Sequence, residues 1–319
     1  MVNNSERTAN RMASPNQAFL TSMAVISVGY AARKWKVLPE ESEKILSRVI
    51  LYLTFPALIY QTFARVNVQP SLIYLPLICL LYGALVLSFS LYLFRKKPDA
   101  LKGLLAMAVA GFNIGLFAFP LIEGVWGMQG LQYAAMFDIG NACIVLGLTY
   151  ITGAIYSPRR DPEEKVGGRF VAKKLLSSFP LQMYVLALVV NLAGVQTPIW
   201  IADIIGVLAR ANMALVLVLL GIYLDFDWQK FSFRTIGGVL LIRYGFGLTL
   251  GLGLFFLLPF DQIYRSIVLI GLILPVGLTI LPFSQEFGYD QKLAGSLASV
   301  TIVLSFSLMW LLISWLHLA

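Results

Sequence analysis

Two stretches of this sequence concentrate residues able to receive an anion inside apolar surroundings. They read GFNIGLFAFPLIEGVWG (111–127) and GLILPVGLTILPFSQEFG (271–288). Proline lacks an N–H and clashes with the preceding turn, and glycine weakens a helix. Backbone amides and carbonyls near Asn113 and Pro275 should therefore leave the helical ladder. Bare polar backbone cannot face hydrocarbon and is tolerated only where it lines protein or a watery cavity. Half-helix N-termini there would offer partial positive charge, and Asn113 would add donors and an acceptor. Asn113, Gly115, Pro275 and Gly277 are the expected substrate-binding residues. The competing reading is a pair of ordinary proline kinks packed against neighbours.

Ionisable groups at depth form the second candidate set. Asp138 lies about eight residues into an apolar run, and Asn141 follows one turn later on the same face. An ionisable residue so placed is costly and is a functional candidate by default. Asp138 could exchange a proton, or bind sodium together with Asn141 and freed carbonyls. It could instead pair with Arg210 or Arg243, or simply line an aqueous cavity. Both arginines fall about ten residues into apolar runs, and either could hold a carboxylate bidentately. Arg243 is kept as a substrate-binding candidate and Arg210 as a structural or cavity-lining residue. Glu123 and Glu286 read as solvated helix-end charges, with Ser284 and Gln285 at a cavity edge.

Long apolar elements must carry these groups. Of 319 residues, 59% are hydrophobic and 13% charged, with a mean hydropathy of +0.80, against about 25% charged in soluble domains. This excludes an ordinary soluble enzyme. Apolar runs occur at 17–35, 45–64, 71–94, 103–126, 130–156, 175–194, 199–224, 235–259, 262–284 and 292–317. Each approaches the ~20 residues that a membrane helix needs, and none alternates as barrel strands do. Alternating the loops between two sides puts eighteen of the 24 lysines and arginines on one side and four on the other, leaving Arg210 and Arg243 within spans. The basic side should be cytoplasmic, which places both termini outside the cytoplasm. The net charge of +8 then belongs to loops facing headgroups, and no nucleic-acid partner is expected. Trp35, Trp126, Trp200, Trp228 and Trp315 are expected at membrane interfaces.

The two halves resemble each other. Leu38-Pro39 to Pro56-Ala57-Leu58 parallels Thr197-Pro198 to Met213-Ala214-Leu215, and Asn113, Pro120 and Gly127 parallel Pro275, Pro282 and Gly288. Five spans per half is odd, so the copies insert in opposite directions. Inverted repeats with broken spans in matching positions point to a secondary transporter site. The expected division is a polar tail (1–16), a first five-helix repeat (17–156), a cytoplasmic linker (157–174) and a second, inverted five-helix repeat (175–319). The expected fold is an all-α polytopic membrane protein with crossed, broken helices 4 and 9.

GYAARKWKVLPEESEKILSRVILYLTFPALIYQTF, the spacing of Asn113 to Pro120, and Leu274 to Gly277 followed by Pro282 resemble the auxin efflux carrier family. That family includes bacterial malonate-type permeases and plant PIN-type carriers. The resemblance runs from about residue 18 to 315. It implies a sodium/proton antiporter-like fold, with helices 1, 2, 6 and 7 as a scaffold and the others as a moving transport domain. It also implies a homodimer, with Asn113 and Pro275 at the crossover. Phe112 replaces the proline of PIN-type carriers before the crossover asparagine, and Val276 replaces a polar residue, which argues against auxin as cargo. Met213 stands where a proline is usual, so the seventh helix should be straighter than the second.

The expected function is secondary active transport of a small organic anion, a carboxylate, by elevator-type alternating access, coupled to protons or sodium. The protein is expected to be integral to the cell (inner or plasma) membrane. No GxxxxGK(S/T), GxSxG or HExxH motif occurs, so neither ATP-driven pumping nor catalysis is expected. Cys79 and Cys143 lack CxxC spacing and His317 is the single histidine, so no metal or other cofactor is expected. The alternatives are a sodium-coupled symporter of amphipathic anions resembling bile-acid carriers, and a non-transporting receptor with the same fold.

Overall fold

A computed structural model describes residues 15–39, 41–64, 66, 69–160, 172, 173, 175–224 and 233–318. Its described residues are helical, with no strand beyond one isolated bridge. In chain order the helices are α1 (Pro15–Lys34), α2 (Ser42–Phe63), α3 (Tyr74–Leu93), α4 (Asp99–Ala110) and α5 (Ile114–Ile155), followed by α6 (Phe179–Leu192), α7 (Ile199–Tyr223) and α8 (Phe233–Leu257). The last three are α9 (Gln262–Leu272), α10 (Ile280–Phe287) and α11 (Gln291–Trp315). Local chemistry sets several boundaries. The Asp261 carboxylate accepts from the Tyr264 N–H to start α9, and Asp290 accepts from the N–H groups of Lys292 and Leu293 to start α11, satisfying donors that a helix start leaves open.

Six helical segments are long and apolar enough to cross a bilayer, and α6 and α9 are shorter apolar helices. The protein is a multi-pass membrane protein. One of the six, α5, has 42 residues, and at 1.5 Å per residue it would be about 63 Å long, twice a hydrocarbon core. It does not run straight. Gly127 adopts φ 59°, ψ −149°, a region open to glycine alone, and divides α5 into arms 114–126 and 128–155. The apolar runs expected at 103–126 and 262–284 are each interrupted, between Ala110 and Ile114 and between Leu272 and Ile280.

The helices pack as two groups. α1, α2, α6 and α7 lie mainly against one another, while α3, α4, α5, α8 and α9 surround the interruptions, with α11 against α10, α4 and α1. Leu81, Ile199, Leu241 and Leu257 point outward, as expected of lipid-facing positions. α7 is continuous, whereas α2 passes through a π-helical stretch, Ile50–Thr54, just before Pro56.

One interface expectation is corrected. Trp126 is buried, and its indole N–H donates to the Leu318 carbonyl at 2.9 Å, so it packs against the C-terminal segment inside the protein. Trp35, Trp200 and Trp315 are exposed. Trp228, most of the expected 1–16 tail and most of the 157–174 linker lie outside the described residues.

Candidate functional site

The two interruptions cross. Gly111 leaves α4 in extended conformation (φ −81°, ψ 148°), and Phe112 pairs with Val276 as an antiparallel bridge. The Asn113 N–H donates to the Pro275 carbonyl at 3.0 Å, and the Gly277 N–H donates to the Gly111 carbonyl at 3.3 Å. Backbone released by one break is thus partnered by the other, the condition that apolar surroundings impose. Gly277 permits the approach, since a Cβ there would sit 3.2 Å from the Phe112 oxygen.

Side chains complete the pairing. Asn141 of α5 reads Phe112 as a second strand would: its Oδ1 accepts from the Phe112 N–H at 2.9 Å, and its Nδ2 donates to the Phe112 carbonyl at 3.0 Å. On the other break, the Val276 N–H donates to Thr301 Oγ1 of α11 at 3.1 Å. Arg243 of α8, only 1% exposed, binds carbonyls in the last turn of α4 and in the second break. Its Nε donates to Leu274 O (2.8 Å) and one terminal nitrogen to Pro275 O (2.7 Å), while the other terminal nitrogen reaches Ala108 O (3.1 Å) and Val109 O (2.8 Å). Four hydrogen bonds use all but one of the five guanidinium N–H donors. The guanidinium also stands 4.7 Å from the Phe112 ring centroid, a cation–π distance. A cation at the ends of α4 and α9 complements the negative poles of both helices.

The opposite poles meet no such group. α5 and α10 begin beside the crossing, and neither has a side-chain cap. Asn113, at the head of α5, is 4% exposed, and its Nδ2 has no hydrogen-bond partner. Gly115, two residues on, packs under the Phe55 ring, where a Cβ would come within 2.6 Å of Cζ. Thr149 lies in a π-helical stretch of α5 (Ile144–Thr149). Its buried, unpartnered hydroxyl is 3.8 Å from the position a Cβ would take at Gly111. The arrangement therefore holds a fixed cation on one side of the crossing and open amide donors on the other.

Asp138 pairs with neither Arg210 nor Arg243. Its Oδ1 accepts from Asn141 Nδ2 at 3.0 Å and its Oδ2 from the Tyr184 hydroxyl of α6 at 2.9 Å. The ion pair weighed from the sequence does not form, because the Arg243 donors go to carbonyls. Arg210 is exposed on α7 with its guanidinium beside Gly206. Glu286 is exposed and accepts from Tyr150 Oη, whereas Glu123 is half-buried. Ser284 is buried and its hydroxyl donates back to Leu281 O, so it offers little to a cavity edge. Among the described residues no group of three or more His, Cys, Asp or Glu could hold a metal.

Sequence reasoning missed Tyr184, Thr301 and the Thr54–Asn212 hydrogen bond (2.8 Å) that ties α2 to α7. Thr301 had a signal. It lies 13 residues past Gly288 as Asn141 lies 14 past Gly127, so matched halves place both beside a break. Tyr184 had none, because its α6 position says nothing of which α5 residue it meets.

A family model described as membrane transport protein matches residues 18–313. A protein of Methanothermobacter thermautotrophicus named an uncharacterized transporter is 25% identical over 294 residues, covering 91% of this chain and 94% of its own. Another protein named an uncharacterized transporter, from Methanocaldococcus jannaschii, is 25% identical over 308 residues, covering 92% and 96%.

Proposed function

Because the chain belongs to the membrane transport protein family, we propose that it is a secondary active carrier of a small organic anion, a carboxylate, and that the crossing of the two breaks is its binding site. Membership in that family and the names of the two archaeal relatives support transport rather than catalysis. The anion is the finer part of the proposal, and one observation carries it: Asn113 Nδ2 is buried at the head of an uncapped helix with nothing to donate to. A buried unpaired donor costs about 1–3 kcal/mol. A carboxylate oxygen relieves that cost and meets the positive pole of α5. Gly115, Gly277 and Pro275 shape the backbone around it. We assign Arg243 to holding the crossing rather than to gripping the carboxylate, since a single N–H remains for a ligand.

The two helix groups support an elevator-type movement, with α1, α2, α6 and α7 as scaffold. The matched breaks of the two sequence halves support a ten-helix inverted repeat in which α4 with the first arm of α5, and α9 with α10, are the crossed helices 4 and 9. Asp138, with Asn141, is the proposed proton- or sodium-coupling group. The unequal loop charges support a cell-membrane carrier with both termini outside the cytoplasm. Arg210, exposed halfway along α7, is costly against acyl chains, which supports a homodimer covering that face.

The test is a thermal-shift screen of mono- and dicarboxylates against the purified protein. A ligand at a hundred times its Kd stabilises by about 2.7 kcal/mol, and Asn113→Ala should remove that shift while leaving the unliganded Tm within a few degrees. A carboxylate that stabilises the Asn113→Ala variant as strongly as the parent would place the site elsewhere.

A further inference from the structure

Resting on the reading of Asp138 as the coupling group, we infer that Tyr184 is the positioning residue through which the occupancy of Asp138 is felt by the α1/α2/α6/α7 group. Asp138 stands at a junction. One carboxylate oxygen holds Asn141, whose amide grips both polar atoms of Phe112 in the first break. The other accepts from Tyr184. Tyr184 is 3% exposed and stacks edge-on against Phe63 of α2, with ring centroids 5.2 Å apart, so it is anchored in the group that does not contain the crossing. A four-residue chain, Tyr184–Asp138–Asn141–Phe112, thus runs from the α1/α2/α6/α7 group to the backbone of the break.

The chemistry of the chain makes it responsive. An ionised carboxylate is acceptor-only and satisfies both the Tyr184 O–H and the Asn141 amide; a protonated one has a donor of its own and one fewer acceptor position. A sodium ion on the same oxygens would compete with both donors directly. Either event weakens the Tyr184 contact or the Asn141 contact, and with them the fixed relation of the two groups. Besides Tyr184, the titratable group facing Asp138 from a packed helix is Cys79 of α3, with Cys143 of α5 beside Cys79. Neither hydrogen-bond partner of Asp138 is a cation, so no fixed positive charge holds it in one state.

The experiment reads the geometry directly and needs no substrate. Spin labels at Met128 (α5) and Leu192 (α6), both exposed, replace those residues in a protein lacking Cys79 and Cys143. Their separation is followed as pH and sodium are varied. In the parent, the distance population should shift with protons or sodium. In Tyr184→Phe, which keeps the ring on Phe63, the ion response should fall at least fivefold, with Tm little changed. If Asp138→Asn loses the response while Tyr184→Phe keeps it, the Tyr184 inference is overturned and the Asp138 reading stands. If the parent shows no response, or Asp138→Asn keeps the response in full, the Asp138 reading itself fails. A Tm lowered in Tyr184→Phe with the ion response preserved means packing alone and also overturns the inference.

Discussion

The two breaks are held open by different means. The second, from Ile273 to Thr279, contains Pro275, which cannot donate, and its Leu274 and Pro275 carbonyls and Val276 N–H are taken up by Arg243 and Thr301. The first, Gly111 to Asn113, contains no proline. It stays extended because Asn141 offers Phe112 the donor and acceptor that a helix would otherwise supply. One break is imposed by covalent chemistry and the other by a tertiary clamp, and the clamped one carries the open amide of Asn113 and is wired to Asp138. The adjustable half of the crossing is therefore the first.

The largest blow to this contrast is expected at Arg243, which binds both the last turn of α4 and the second break. Hydrogen bonds from a charged donor contribute about 1.5–3 kcal/mol each. Arg243→Met removes four at once and should leave little monodisperse protein on size-exclusion chromatography. Arg243→Lys, with its point charge and no planar fork, should be only partly recovered. Near-normal yield and Tm for Arg243→Met would mean that Arg243 is not what holds the crossing together.

Asn141→Leu comes next. It strands the Phe112 N–H and carbonyl, at about 1–3 kcal/mol per buried group, so Tm should fall by several degrees or more, and a further loss of ligand binding is expected because the first break loses its shape. The counterpart, Thr301→Val, strands one N–H rather than two groups and should cost about 1–3 kcal/mol, with ligand binding kept. Equal effects of the two substitutions would erase the distinction between a clamped and a covalently forced break.

The smallest stability change is expected at Asn113→Ala, where no hydrogen bond of the side-chain amide nitrogen is lost. Its effect should appear in affinity, about tenfold or more, the value of a hydrogen bond to a charged partner. A large fall in Tm with unchanged affinity would make Asn113 structural and shift interest to the second break.

Most of the framework was legible along the chain. Long apolar runs mark a membrane protein because bilayer thickness and helix rise leave little choice. The positions of the breaks at 111–113 and 273–279 were legible because glycine and proline act on their own turn, but the Asn141 clamp that keeps the first one extended was not. Even the Gly127 turn lies where two apolar runs nearly touch. Candidate residues at the breaks could be picked out because polar groups are conspicuous in such runs.

Pairing was not legible. Arg243 could have met Asp138, a ligand or carbonyls, and every one of those choices suits a buried guanidinium. Only the folded arrangement, which brings the ends of α4 and α9 beside one α8 residue, assigns its donors to backbone. Asp138 likewise found Tyr184 because α6 packs there. The amino-acid order determined the environment, the long apolar runs and where those runs weaken, which depend on chemistry within a turn or two. The tertiary structure decided which distant donor meets which acceptor, because a hydrogen bond is settled over about 3 Å, whereas periodicity says only which way a side chain faces.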